Sequence, residues 1–286
     1  MLASINPALV RVQSLRYTLL LLISITISSA HAQVKIAAHR GGLYDQFPES
    51  AMSLFDFTAD AFKNDTVFLE IDLRKSKDGT FYLMHDATVD RTTTGKGLVE
   101  NLSDEYLNAL YLKTKDGKTT TEHIPTFTEM LKFIRHRNVN LMLDIKAPVH
   151  REVLEQVKKS RLENRMLVLT FKDEITAEVA SASQDVFMSA LIETPQAWEN
   201  FKQIPVQSGK RIAYITNRTP ASFISTLRKE RVLIMADVSE DLRNGGKPLQ
   251  TEGYREKVKN QDLDILISDF PIEAREALGS AKKRVP

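Results

Sequence analysis

Short, almost continuous apolar runs recur along this chain, and each is followed by a segment with helical spacing of apolar residues. The runs lie at 34–38, 67–71, 140–143, 166–169, 186–191, 212–215, 232–235 and 265–267. A strand that is apolar on both faces must be covered on both faces, and a parallel sheet with helical crossovers does this. Helical periodicity falls near 51–63, 127–137, 150–160, 173–183, 194–201, 221–231, 254–260 and 272–278. Eight alternations of this kind predict an α/β protein, a closed (β/α)8 TIM barrel rather than an open sheet.

One stretch breaks the rhythm. Between the second and third strands the sequence predicts a small insertion at one barrel mouth, about 78–122. It opens with an extra strand at 81–85, turned by Lys77-Asp78-Gly79. Thr94-Gly95-Lys96-Gly97 imitates part of a phosphate-binding loop, but Asp90 stands where the upstream glycine belongs and no strand leads into it. It reads as a turn.

The N-terminal segment is of another kind. Arg11 and Arg16 precede an apolar run from Tyr17 to Ile27, and Ala30-His31-Ala32 follows. This is the pattern of a secretory signal peptide over residues 1–32. The run is shorter than the ~20 residues of a membrane span. Cleavage after Ala32 would leave residues 33–286 as one barrel domain, close to the ~250 residues such a barrel uses. The expected location is secreted or periplasmic, with no stable membrane anchor. Loss of Arg11 and Arg16 takes the 39 basic residues to 37, equal to the 37 acids. A balanced chain offers no general surface for nucleic acid, so an anion must be bound by a local site. With no cysteine, no disulfide supports the fold.

In such a barrel the chemistry gathers at the C-terminal ends of the strands. The first strand here ends in His39-Arg40-Gly41-Gly42, the second carries Glu70 and Asp72, the third runs into Asp144-Ile145-Lys146, and the last reaches Asp269. Glu70 and Asp72 are two apart and face the same side of a strand. With Asp144 they form an all-oxygen donor set suited to a hard divalent cation, Mg2+ or Ca2+. His39 and His85 titrate near neutrality and are the expected proton carriers. Arg40 and Lys146 supply fixed positive charge suited to phosphate. His123, His136 and His150 have no such company and read as surface residues.

Taken together, His39-Arg40-Gly41, Pro48-Glu49, Glu70-Ile71-Asp72, His85-Asp86, Asp90-Arg91-Thr92-Thr93, Asp144-Ile145-Lys146 and Ser268-Asp269-Phe270-Pro271 resemble the glycerophosphodiester phosphodiesterases in order and spacing. The resemblance implies a barrel with one insertion after the second strand. It implies hydrolysis of a small glycerophosphodiester to an alcohol and glycerol 3-phosphate, with a divalent cation as cofactor. Carried over residue by residue, it makes His39 and His85 the acid/base pair and Glu70, Asp72 and Asp144 the metal ligands. Arg40 and Lys146 become the phosphate contacts, and Glu49 a supporting acid. Three departures stand out: Asp144 where the family usually has Glu, Ser50-Ala51 where it has Asn-Thr, and no tryptophan near Met235-Ala236-Asp237.

Two other readings fit less of the sequence. An enzyme of phospholipase C or D type, acting on intact lipids, would need an apolar or basic rim, for which Leu107, Leu110, Tyr111 and Leu112 leave room. A non-catalytic barrel that only binds phosphodiesters would account for Asp144 and Ser50 but not for two retained histidines.

Overall fold

The computed structural model describes residues 33–279. The signal peptide expected over 1–32 lies outside the described residues. β1 (Lys35–Ala38) leads through α1 (Met52–Ala61) to β2 (Val67–Lys75). β3 (Phe81–Leu83), α2 (Asp104–Ala109) and the hairpin of β4 (Tyr111–Lys113) and β5 (Thr119–His123) come next. After α3 (Phe127–Ile134) the alternation is regular: β6 (Val139–Ile145), α4 (His150–Ser160), β7 (Met166–Thr170), α5 (Asp173–Ala182), β8 (Phe187–Leu191) and α6 (Pro195–Gln203). The chain continues through β9 (Arg211–Tyr214), α7 (Ala221–Lys229), β10 (Leu233–Asp237), α8 (Glu240–Arg243), α9 (Thr251–Gln261), β11 (Ile265–Ser268) and α10 (Pro271–Leu278).

Apart from β3, β4 and β5, these strands are parallel, and β1 pairs with both β2 and β11, so the sheet closes into the expected barrel. Strand alternation divides the core into two. Ala37, Phe68, Met142, Leu167, Leu169, Ile212, Met235, Ile265 and Ile267 pack together inside the barrel. Their neighbours Ile36, Leu69, Ile71, Leu141, Leu143, Val168 and Ile234 face outward against helix residues such as Phe55, Phe127 and Val153. Two-sided burial explains why the strands read as unbroken apolar runs.

Several details differ from the sequence reading. β2 runs on to Lys75 because β3 pairs with it antiparallel, Leu73 opposite Leu83 and Lys75 opposite Phe81. β3 stops at Leu83, which leaves His85 in a loop. Between β2 and α3, Tyr82, Met84, Val89, Val99, Leu107, Leu110 and Leu112 form a small core of their own. Of the residues that left room for a lipid-facing rim, only Tyr111 is exposed; the three leucines are buried. A Cβ on Gly95 would lie 2.5 Å from the Leu110 side chain, so this glycine serves packing, not phosphate. His150, expected on the surface, is buried at the start of α4, with Nδ1 3.9 Å from Glu178 of α5, while His123 and His136 are exposed. Packing of α4 against α5 covers His150, and burial lowers its pKa.

The turn after β1 is tightly specified. Gly41 has φ +86°, and a Cβ there would meet the Phe55 ring at 2.9 Å. Thr58 donates its hydroxyl to the Gly41 carbonyl at 2.7 Å, which fixes the turn on α1. Gly117, at φ +85°, has open space around it. Gly117→Ala should therefore cost only the ~1–2 kcal/mol of a left-handed side chain. Gly41→Ala should cost a further ~1–3 kcal/mol for the forced contact. Urea unfolding of both variants measures the difference, and equal losses would show that the Phe55 contact is relieved without cost.

Candidate active site

Barrel geometry brings the charged residues together. On β2, Phe68 belongs to the barrel interior, so Glu70 and Asp72, in phase with it, face the same lumen. On β6, Met142 is interior and Asp144 is in phase, directly opposite Asp72 in the register. Glu70, Asp72 and Asp144 each offer an oxygen within 4.8 Å of the others. Glu70 and Asp72 are both 1% exposed. Neither Asp72 oxygen has a directed hydrogen bond, though Lys146 Nζ lies 2.9 Å from one and Arg40 Nε 3.6 Å from the other. Buried, clustered and incompletely partnered carboxylate oxygens fit a hard divalent cation. Burial, reinforced by the Asp72 charge, raises the pKa of Glu70.

The strand-end loop of β1 wraps this cluster. Arg40 takes a left-handed backbone, φ 51°, a strained state for a side-chain-bearing residue. That turn aims the Arg40 N–H at Glu70, which accepts it at 2.7 Å. The Arg40 guanidinium meanwhile donates to Glu49 at 3.1 Å. Lys146, just past β6, bridges Asp72 and Asp144. One residue earlier in the loop, His39 Nδ1 donates to Asp269 at 2.6 Å. Burial opposes a charge on His39, but the hydrogen bond to Asp269 and the Glu70 charge outweigh it and raise the pKa to about 9.

Asp269 is itself held. Its N–H donates to Glu240 at 2.9 Å, and its second carboxylate oxygen accepts from the Asp241 N–H at 2.8 Å. Glu240 is wholly buried and also accepts from Ser268 and from the hydroxyl of Tyr254. Sequence reasoning noticed Asp269 at its strand end without pairing it to His39, and it missed Glu240 altogether. Glu240 lies in a four-residue helix with no periodic signal, so only the tertiary fold reveals its burial.

His85 lies in the loop that follows β3. The Met84 N–H donates to the Asp72 carbonyl at 3.0 Å, which starts the His85 loop beside the acid pair. Arg74 donates twice to the His85 carbonyl, at 3.0 and 2.8 Å. The ring Nδ1 donates to Asp86 at 2.9 Å. Asp86 and Glu49 are both gripped by Arg91, a contact that sequence reasoning also missed. Thus Arg40, Glu49, Glu70, Asp72, Asp144 and Lys146 form one contact cluster; His39 adjoins it as the chain neighbour of Arg40, and His85 joins it through Asp86 and Arg91. At the end of β10 the lumen carries Asp237 in phase with Met235, and Trp198 is buried in the helical shell beside Phe201.

Known proteins match this chain in sequence and in fold. The chain is 31% identical over 170 residues to Glycerophosphodiester phosphodiesterase 1 of Bos taurus, covering 57% of this chain and 50% of the relative. It thus spans about half the length of the curated relatives it matches first. A crystal structure of a glycerophosphoryl diester phosphodiesterase from Parabacteroides distasonis matches with a TM-score of 0.75 at 25% identity, over 89% of this chain and 91% of the other. A phosphodiesterase of Oleispira antarctica, solved with its product sn-glycerol-3-phosphate, shares the fold at 20% identity and a TM-score of 0.68, over 87% and 98%. The family model described as Glycerophosphoryl diester phosphodiesterase matches residues 39–235, a span that contains His39, Glu70, Asp72, His85 and Asp144, and the chain belongs to that family.

Proposed function

We propose that this protein hydrolyses glycerophosphodiesters to an alcohol and glycerol 3-phosphate. The observation that carries the reading is the convergence of Glu70, Asp72 and Asp144 within 4.8 Å, with Arg40, Lys146 and a carboxylate-held His39 around them. Both the names of the relatives and the product bound by the Oleispira protein support the substrate class.

Glu70, Asp72 and Asp144 would hold the divalent cation, Mg2+ or Ca2+. Such an ion supplies charge stabilisation at a non-bridging phosphate oxygen. Arg40 and Lys146 share the negative charge that grows on phosphorus, and they sit where Asp72 already orients them. One histidine removes a proton from the attacking oxygen; the other protonates the alkoxide as its P–O bond breaks. Attack by water, directly or on a cyclic phosphate first formed by the neighbouring glycerol hydroxyl, gives the same net products. The Asp269 carboxylate fixes the His39 tautomer with Nδ1 protonated, which leaves Nε2 as the exchanging atom. Asp86 does the same for His85.

The lipid-acting alternative gains little, because the insertion leucines are spent on their own core. We also propose that the protein is exported, on the leader pattern of residues 1–32. Expressed whole in a Gram-negative host, it should be recovered from the periplasm or medium with Gln33 as its first residue. A cytoplasmic product that begins at Met1 would remove the export proposal.

The functional reading is tested with purified protein, a panel of glycerophosphodiesters and identification of products with and without chelator. Chelation should abolish turnover, and Mg2+ or Ca2+ should restore it. Asp144→Asn should weaken the affinity for that metal, read by calorimetry. Full activity in metal-free protein would remove the assignment of the three acids. His39→Ala and His85→Ala should each lower kcat by ~10²–10⁴-fold, the range for loss of a general acid or base. The exposed His136→Ala should change kcat little. Near-normal kcat in His85→Ala on a substrate with a poor leaving group would end its role as a proton carrier.

A further inference from the structure

Two loops of the site are joined by Arg91, whose side-chain hydrogen bonds go to Asp86 and Glu49 and not to Glu70, Asp72 or Asp144. Arg91 donates from Nε and Nη2 to the two oxygens of Asp86, at 2.7 and 3.0 Å. It donates from Nη1 and Nη2 to the two oxygens of Glu49, at 2.9 and 2.9 Å. Beyond Asp86 lies His85 Nδ1; beyond Glu49 lies the Arg40 guanidinium. The result is a continuous chain, His85–Asp86–Arg91–Glu49–Arg40, from one proton carrier to one phosphate contact. It crosses between the β1 loop and the loop after β3, which are far apart in sequence.

A planar guanidinium suits this place. It offers five N–H donors in a fixed fork, so it can hold two carboxylates at once and set their angle. A lysine ammonium is a point charge and cannot fix both. Burial favours the neutral form of Glu49, but Arg91 and Arg40 hold its carboxyl below the usual range. Asp86 is held well below its usual range, chiefly by the same Arg91. Both partners therefore stay charged.

We propose that Arg91 is a positioning residue that couples His85 to Arg40. Proton transfer and phosphate binding are then set by one shared brace. The proposal rests on the functional reading above. Because Arg91 is half exposed, its removal leaves no buried void and the variant should fold.

The test is a set of mutant cycles on the purified protein. Arg91→Met should lower kcat by ~10–100-fold, the usual cost of losing a partner that orients a reacting group. It should also raise KM, because Arg40 loses its setting. Asp86→Asn alone should act mainly on kcat, and Glu49→Gln alone mainly on KM. Added to Asp86→Asn, Arg91→Met should cost much less kcat than it does in the natural chain, since coupled residues are not additive. Arg91→Lys should not restore both constants. A full additive loss in the Asp86→Asn background, or full rescue by Lys, would falsify the coupling. A second readout does not need turnover. The His85 Nδ1–H resonance should be protected from exchange in the natural chain and lost in Arg91→Met. If it persists unchanged, the coupling is wrong, whatever the rates. A natural chain that hydrolyses no glycerophosphodiester, yet shows this resonance change, would remove the functional reading and keep the brace.

Discussion

Two carboxylates that face one barrel lumen, both all but sealed from water, repel each other and have lost their hydration. Moving a single charge into such surroundings costs several kcal/mol unless partners replace the water. Most of the mouth can be understood as an answer to that cost at Glu70 and Asp72. Arg40 adopts a strained backbone so that its N–H reaches Glu70. Lys146 lies between Asp72 and Asp144. Glu70 still favours its neutral form, and Asp72 still lacks directed hydrogen bonds. Three carboxylates against Arg40 and Lys146 leave the cluster short of positive charge, which suits it to a hard cation.

The two histidines are supported in opposite ways. His39 rests on Asp269, and Asp269 on a wholly buried Glu240 that also takes the hydroxyl of Tyr254. That arm is part of the barrel core. His85 rests on Asp86 and an Arg91 that is half open to solvent, in loops beyond the strand ends. One arm is held by buried partners; the other is held by ion pairs nearer to solvent. Opposite supports of this kind give the two imidazoles different environments, the condition that the proposed acid and base roles need.

The barrel was legible because two-sided burial forces a distinctive pattern: apolar runs with no polar alternation, each followed by a helical stretch. The acid cluster was legible because a strand repeats every two residues, so Glu70 and Asp72 had to share a face. What stayed hidden depended on contacts between distant segments. β2 extends to Lys75 only because β3 lies beside it. His150 is buried only because α5 covers it, and nothing local distinguishes it from the exposed His136. Glu240 sits among Ser239 and Asp241 like any polar loop residue, and its burial is decided by Tyr254 and Ser268. The matched family segment ends at residue 235, ahead of the strand that delivers Asp269.

β1 is the first strand of the barrel, and β2 and β11 flank it. His39 follows β1 directly, and its partner Asp269 is 230 residues away. As the chain emerges from the ribosome, β1 has one edge unsatisfied until the last strand arrives. The same late event delivers the carboxylate that orients the first histidine. Completion of the sheet and completion of the His39–Asp269 pair are therefore one step, and a chain cut short before that step lacks both.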